Sequence, residues 1–455
     1  MSSSGKARQG LPYVDPAEFT PHIAWRKSRR RTGRVVACES VPLDDIAGEF
    51  GTPTYVYSES AIHDAFNELK LGLGNLPHLL CFAVKANGNL SILNLLSKLG
   101  SGFDIVSGGE LDHLGHLGVP GGRIVFSGVG KTREEIRSAL SYRARRSDSP
   151  GILQFNVESP AEMELLLEET TRRRPTGGAI PGVSIRVNPD VAAGGHPHIS
   201  TGLAHHKFGI SWRHARSLYL EHRNCPRIRW QGISAHIGSQ IVEMAPFREA
   251  LSRLASYVKE LRKEGIALQY LDFGGGLGVR YTNENPVPRG EYARMVAKTV
   301  TSLGISLLLE PGRSIIASSA VLLARVILKK DNATRSFVVL DAAMNDFARP
   351  VLYDAPHPIT TVRSDTKARP TPRQRLDVVG PVCESGDTFL YDWPLGDVNP
   401  GDVVAIWGVG AYGMVQASNY NGRGRPAEVL VKGNRVRLIR RRETLADIVR
   451  TDVLG

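Results

Sequence analysis

The sequence predicts an α/β protein: a (β/α)8 barrel of the TIM type followed by a mostly antiparallel β domain. Three observations point there. From about residue 51 to 312, eight short β-type runs alternate with amphipathic helical stretches. After Gly312 that alternation stops and strand-like runs follow one another directly. The unusual polar residues of the first part all fall at the C-terminal ends of its predicted strands, the rim on which barrel enzymes build their sites.

In chain order, the eight runs are "CFAV", "GFDIVS", "RIVFSG", "LQFNV", "VSIRVNP", "GISAHIGS", "YLDFGGG" and "SLLLEPG". Most carry β-branched or aromatic residues, and half of them end at Gly or Pro. Patterns such as "LSILNLLSKLG", "PAEMELLLEETTRR" and "PFREALSRLASYVKELRKEG" lie between them with apolar residues at helical spacing. Residues 313–455 form the expected β domain, through "SFVVLDAAM", "DTFLYDW", "DVVAIWGVGAYG" and the hairpin-like "AEVLVKGNRVRLIRR". Residues 1–15 are expected to be a disordered tail. Residues 16–50 form a segment whose run "RVVACES" joins the β domain.

Composition excludes several classes. With 42% hydrophobic and 22% charged residues, the chain is an ordinary globular protein. Met1 to Gly10 is polar with no apolar run after it, so no signal peptide is expected. "SSAVLLARVIL", the most apolar segment, is too short to span a bilayer and is interrupted by Arg325. Cys38, Cys81, Cys225 and Cys383 form neither a disulfide framework nor a metal-type spacing, which fits a reducing cytoplasm and no metal. The net charge of +12 is partly concentrated in "WRKSRRRTGR". No aromatic or Gly-rich interleaving accompanies that run, so it reads as a solvated basic segment and not as a nucleic-acid site.

The rim residues have a joint chemical meaning. Lys85 closes the first run, Asp104 lies in the second, and His236 and Ser239 end the sixth. "GGGLG", from Gly274, ends the seventh, and Glu310 with Arg313 ends the eighth. A Gly-rich turn offers backbone N–H groups without side-chain bulk, which suits a phosphate. An acid can hold a ring nitrogen, a lysine can form a Schiff base and an imidazole can stack. Together these describe a pyridoxal 5'-phosphate site.

The motifs "AVKAN", "GFDIVSGGEL", "FSGVGKTREEI", "HPHISTG", "KFGI", "HIGSQI", "LDFGGGLG", "EPGRSI", "RPVLYDA", "PVCESGD", "GAYGMVQASNYN" and "RPAEVLV" carry a family resemblance across about residues 35 to 455. The chain resembles the fold-type III pyridoxal phosphate decarboxylases, whose barrel is alanine racemase-like. Within them it is most similar to those acting on meso-2,6-diaminopimelate. The resemblance implies Lys85 as the Schiff-base lysine with Asp104 near it, and His236 stacked on the cofactor ring. It places Ser239, Gly274, Gly275 and Gly276 at the phosphate and Glu310 at the ring nitrogen. Cys383, Glu384 and Tyr412 complete the site from the β domain. The resemblance makes Cys383 the proton donor and brings it from the partner of an obligate homodimer with shared active sites.

Substrate choice rests on fewer residues. Diaminopimelate carries a second amino-acid end, so its site needs cationic and hydroxyl donors for a distal carboxylate. Arg313, Arg349 and Tyr353 suit that role, and Glu384 suits the distal ammonium. The implied reaction yields L-lysine and CO2. The alternatives are a related decarboxylase acting on carboxynorspermidine, ornithine or arginine, an amino-acid racemase, and a non-catalytic pyridoxal phosphate carrier. Racemases of this barrel type place an arginine where Glu310 stands.

Overall fold

In the computed structural model, residues 15–28, 33–145, 149–173, 180–192, 207–364 and 376–454 are described. The expected N-terminal tail (its last residue, Asp15, excepted), the middle of the basic run and the motif "HPHISTG" lie outside them. The chain divides into two compact units.

The first unit spans His63–Val279 and Asn285–Ile315. Its strands are β1 (His78–Ala83), β2 (Gly102–Ile105), β3 (Ile124–Phe126), β4 (Gln154–Val157), β5 (Gly182–Asn188), β6 (Arg229–Ser234), β7 (Tyr270–Asp272) and β8 (Ser306–Leu309). Every neighbouring pair is parallel, and β8 returns to β1 with Leu309 opposite Leu80, so the barrel closes. Strand alternation sorts the residues. One set is apolar and buried, as in Phe103, Ile105, Phe155, Val157, Val183 and Ile185. The other set is polar and equally buried: Asp104, Gln154, Asn156, Ser184 and Arg186. Sequence-coded caps start the helices between strands. Asn89 accepts the Ser91 N–H before Leu90–Lys98, and Thr132 with Glu135 forms a capping box before Arg133–Ser141. Met244–Lys263 buries Phe247, Leu251, Leu254, Val258 and Leu261 on one stripe. Each such side chain contributes about 1.5–3 kcal/mol. Among the described residues no helix is long and apolar enough to cross a membrane.

The second unit contains residues up to Ile62, Arg280–Glu284 and the residues from Ile316 onward. Its central strand, Ala320–Asp331, pairs antiparallel with Thr54–Ser58, Val403–Trp407 and Ser336–Leu340. Thr54–Ser58 continues to Ala427–Lys432 and the hairpin ending at Arg435–Arg440. Leu376–Val379 and Thr388–Trp393 extend the other side. Arg34–Cys38 lies in a small sheet with Ile23–Lys27, Val41–Pro42 and Arg363–Ser364. Val36, Val56, Val321, Leu323, Trp407, Val429 and Val431 share one core.

The boundaries differ from the sequence-based span of 51–312. "TYVYS" belongs to the β unit, because a barrel closed by eight strands has no edge left for it. The antiparallel register of Tyr57 with Ala320 satisfies its backbone instead. Arg280–Glu284 likewise belongs to the β unit, and Arg313–Ile315 stays with the barrel.

Candidate active site

On the barrel rim, β1 ends at Ala83 and a short 3-10 turn over Val84–Ala86 carries Lys85, so the lysine stands just beyond the strand. Ala83 faces Asp104 across the β1–β2 register. Lys85 Nζ donates to Asp104 Oδ2 at 3.0 Å. Asp104 is fully buried, and its Oδ1 has no hydrogen-bond partner among the described residues.

Glu310 follows β8 directly and is buried. Its Oε1 accepts from Ser127 Oγ at 3.3 Å and from Asn156 Nδ2 at 3.2 Å. Asn156 Nδ2 also donates to Asp272 Oδ2 at 3.0 Å, and Asp272 Oδ1 accepts the Gly274 N–H at 3.1 Å. Burial pushes the Glu310 carboxyl well up, the negative charges of Asp104 and Asp272 push the same way, and Lys85 opposes them. Asp272 is also raised by burial, against the hydrogen bonds it accepts from Asn156 and Gly274. Of this carboxyl pair, Glu310 is the one that keeps its proton.

His236 lies two residues beyond β6. Its Nδ1 accepts the Gly275 N–H at 3.2 Å. Burial holds its pKa well below the usual histidine value, and the cations Arg186 and Lys85 add to the effect, so the ring is neutral and its proton sits on Nε2. The glycine turn is tight. Gly274 and Gly276 have φ of +63° and +102°, and a Cβ on Gly274, Gly275 or Gly276 would stand 2.6, 2.4 or 2.4 Å from a backbone oxygen. Ser239 Oγ accepts from Arg313 Nη2 at 3.1 Å.

Sequence reasoning missed the network beneath these residues. Besides Asn156, Asp272 and Ser127 it includes two buried ion pairs, Arg186–Glu158 at 2.9 Å and Lys131–Glu162 at 2.7 Å. The available signal was polar residues at alternate positions of otherwise apolar barrel strands, as in "LQFNV" and "VSIRVNP".

The β unit gathers the other predicted residues. Arg349 opens the short helix Arg349–Tyr353 and is only 6% exposed. Its guanidinium carbon lies 5.5, 5.7 and 6.0 Å from the ring centroids of Tyr281, Tyr353 and Tyr412. Tyr412 has φ +55°, uncommon for a bulky residue. It sits between Gly410 and Gly413, where a Cβ would come within 1.9 Å of the Ile316 oxygen or 2.4 Å of the Val409 oxygen. Cys383 and Glu384 are exposed on the loop before Thr388–Trp393. That loop is tied down by Asp387, whose carboxylate accepts the N–H groups of Val382 and Met344, and by Asn421 Oδ1, which accepts the Cys383 N–H at 3.1 Å.

Three comparisons bear on this arrangement. Residues 59–317 match the family model described as pyridoxal-dependent decarboxylase, pyridoxal binding domain. The chain is 45% identical to the diaminopimelate decarboxylase of Pseudomonas aeruginosa over 410 residues, 90% of this chain and 95% of that protein. It is 39% identical to the Aquifex aeolicus enzyme of the same name over 95% of this chain and 97% of that one. Among solved structures it is similar to diaminopimelate decarboxylase from Helicobacter pylori complexed with L-lysine. The TM-score there is 0.83 at 39% identity, covering 90% of this chain and 98% of that one. The M. jannaschii enzyme in co-complex with L-lysine gives a TM-score of 0.86 at 34% identity, covering 96% and 98%.

Proposed function

Because the chain belongs to the diaminopimelate decarboxylase family of pyridoxal-dependent decarboxylases, we infer that it converts meso-2,6-diaminopimelate to L-lysine and CO2. It is a carboxy-lyase that uses pyridoxal 5'-phosphate.

The barrel residues fit that cofactor. The glycine turn packs its backbone against neighbouring carbonyl oxygens with no room for side chains, and the donor set combines an amine, a protonated acid and a neutral imidazole. Bound pyridoxal phosphate supplies an electron-withdrawing ring that takes up the electron pair released when CO2 departs. The roles of individual residues are our proposal. Lys85 is the anchoring amine, with Asp104 setting where its Nζ stands. Glu310 is the acid available to a ring nitrogen, because burial and two neighbouring carboxylates hold its proton. His236, neutral and locked by Gly275, offers a flat face without competing charge. The Gly274 and Gly275 N–H groups are engaged by Asp272 and His236. The phosphate therefore falls to the Gly276 N–H, Ser239 and Arg313, of which the last two already form one hydrogen-bonded unit.

On the substrate side, Arg349, Arg313 and Tyr353 receive the distal carboxylate, Glu384 the distal ammonium, and Tyr412 contacts both cofactor and substrate. Cys383 delivers a proton to the carbon that has lost CO2. It is the only exposed one of the four cysteines, which suits a thiol that acts in the partner's site of a homodimer. A cytoplasmic location belongs to the same proposal and agrees with four free thiols.

The observation that carries this reading is the partly exposed Lys85 amine paired with the buried Asp104, in the same barrel as a protonated Glu310. Purified protein given pyridoxal phosphate and meso-diaminopimelate should release CO2 and L-lysine in equal amounts. Faster CO2 release from carboxynorspermidine, ornithine or arginine would refute the substrate assignment.

A further inference from the structure

A flat ring that carries a phosphate arm and a basic nitrogen is rigid, so the protein groups serving its two ends must stand at a fixed spacing. In the barrel, one carboxylate spans those groups. Asp272 closes β7 and is fully buried. Its Oδ1 accepts the Gly274 N–H at 3.1 Å and so opens the glycine turn, where Gly274 takes φ +63°. Its Oδ2 accepts from Asn156 Nδ2 at 3.0 Å and from Gln154 Nε2 at 3.4 Å. Asn156 Nδ2 also donates to Glu310 Oε1 at 3.2 Å. Gln154 Nε2 steadies that amide from behind, donating to Asn156 Oδ1 at 2.9 Å. The backbone closes the same loop a second time, because the Glu310 N–H donates to the Gly274 carbonyl oxygen at 2.7 Å.

The protonation states agree with this wiring. Gly274, Asn156 and Gln154 offer Asp272 only N–H groups, which suits an ionised carboxylate. Hydrogen bonding between the two carboxyls acts to raise Glu310 and to lower Asp272, so the proton between them stays on Glu310. We propose that Asp272 is a positioning residue for pyridoxal phosphate: one carboxylate ties the phosphate turn to the ring-nitrogen acid and fixes the spacing between them. It acts through Gly274 at one end and through Asn156 at the other. An amide in its place could not serve both, because its NH2 group would face an N–H donor at one of them. The proposal rests on the readings of the glycine turn as the phosphate site and of Glu310 as the ring-nitrogen acid.

The test measures how tightly the full chain, freed of cofactor, binds three probes. They are pyridoxal phosphate, pyridoxal (which lacks the phosphate), and the pyridoxal phosphate analogue with CH in place of the ring nitrogen. Ratios of their dissociation constants give the gain from the phosphate and the gain from the ring nitrogen. In Asp272→Asn both gains should fall by about tenfold or more, the size of a lost charge-assisted hydrogen bond. Glu310→Gln should lower the ring-nitrogen gain alone. The exchanged pair, Asp272→Asn with Asn156→Asp, restores an acceptor to each of these donors. It should bring both gains back to within about threefold of wild type. A general loosening of the barrel would weaken all three probes alike, and unchanged ratios in Asp272→Asn overturn the proposal. Loss of one gain alone in that variant shows that Asp272 serves a single end, and overturns it too. If Asp272→Asn does not fold, the exchanged pair carries the test, and a loss of about tenfold in either gain there is the overturning result. Wild-type protein that gains nothing from the phosphate, or Glu310→Gln that keeps the full ring-nitrogen gain, overturns the readings beneath the proposal, and the proposal with them.

Discussion

The barrel rim and the Arg349 cluster handle charge in opposite ways. On the rim, three carboxyls and one lysine converge, and hydrogen bonds from Asn156, Ser127 and Gly274 spread the load. Crowding of like charge in a buried place forces Glu310 to keep a proton. In the β unit, the buried cation Arg349 packs near three tyrosine rings and donates to a histidine nitrogen. The first arrangement shifts protonation states and suits bond breaking. The second packs a cation against ring faces and suits recognition.

That contrast can be tested by variants that strike one side only. The largest effect is expected from Lys85→Ala, which should abolish turnover of every substrate alike. Borohydride reduction of wild-type holoenzyme followed by peptide mapping should place the cofactor on Lys85, and a label on another lysine would remove the assignment. Pairing Lys85→Ala with Cys383→Ala in co-expressed, doubly tagged heterodimers comes next. If Cys383 serves the partner's barrel, one site of each heterodimer carries both changes and the other carries neither. Freely exchanged mixtures should then recover about one quarter of wild-type activity. Isolated heterodimers as inactive as their parents would show that the thiol acts within its own chain.

A smaller effect probes the barrel's crowding. Glu110 sits in the first turn of Gly108–His116, where burial pushes its carboxyl up to about 7, the Asp104 charge adds to that, and the Val106 N–H and Lys85 oppose it. Its folded pKa exceeds the unfolded value, so the neutral form favours the fold and stability falls as pH rises from about 4.5 to about 7. Glu110→Gln should remove that slope and gain on wild type between pH 5 and pH 8, by an amount on the order of 2 kcal/mol. Urea melts at the two pH values measure it. Parallel pH dependence of wild type and variant would mean that the carboxyl is ordinarily solvated.

Most of the fold was legible because the barrel strands announce themselves locally, by short apolar runs separated by helical patterns. "TYVYS" fails that logic instructively. It is a β run directly before the helix Glu59–Leu73, which is the local signature of a barrel unit, yet its hydrogen-bond partners are Ala320–Leu323 and Ala427–Val431. No window of neighbouring residues carries that information. "SSAVLLARVIL" was noticed for its apolarity and turned out to be most of the longest strand of the β unit. At the site, Lys85, Asp104, His236 and Glu310 stand out because charged or imidazole groups at strand ends are unusual. Asn156 and Asp272 were hidden as polar letters inside short apolar runs. His357 was invisible as a partner of Arg349, since the pairing depends on Trp407 arriving from a strand far along the chain.

Thr54–Ser58 has one further consequence, which concerns the order in which the protein is made. This strand leaves the ribosome before any part of the barrel, but its parallel neighbour Ala427–Lys432 follows only after all eight barrel strands. All eight barrel strands are available before Ala320–Asp331 appears, so the barrel can close while Thr54–Ser58 still waits for both of its strand partners. Nascent chains stopped before residue 320 should therefore hold a protease-resistant barrel with an accessible leading segment. A cut placed at the barrel's end would not release two self-sufficient pieces, because each piece would lack residues that complete the β unit.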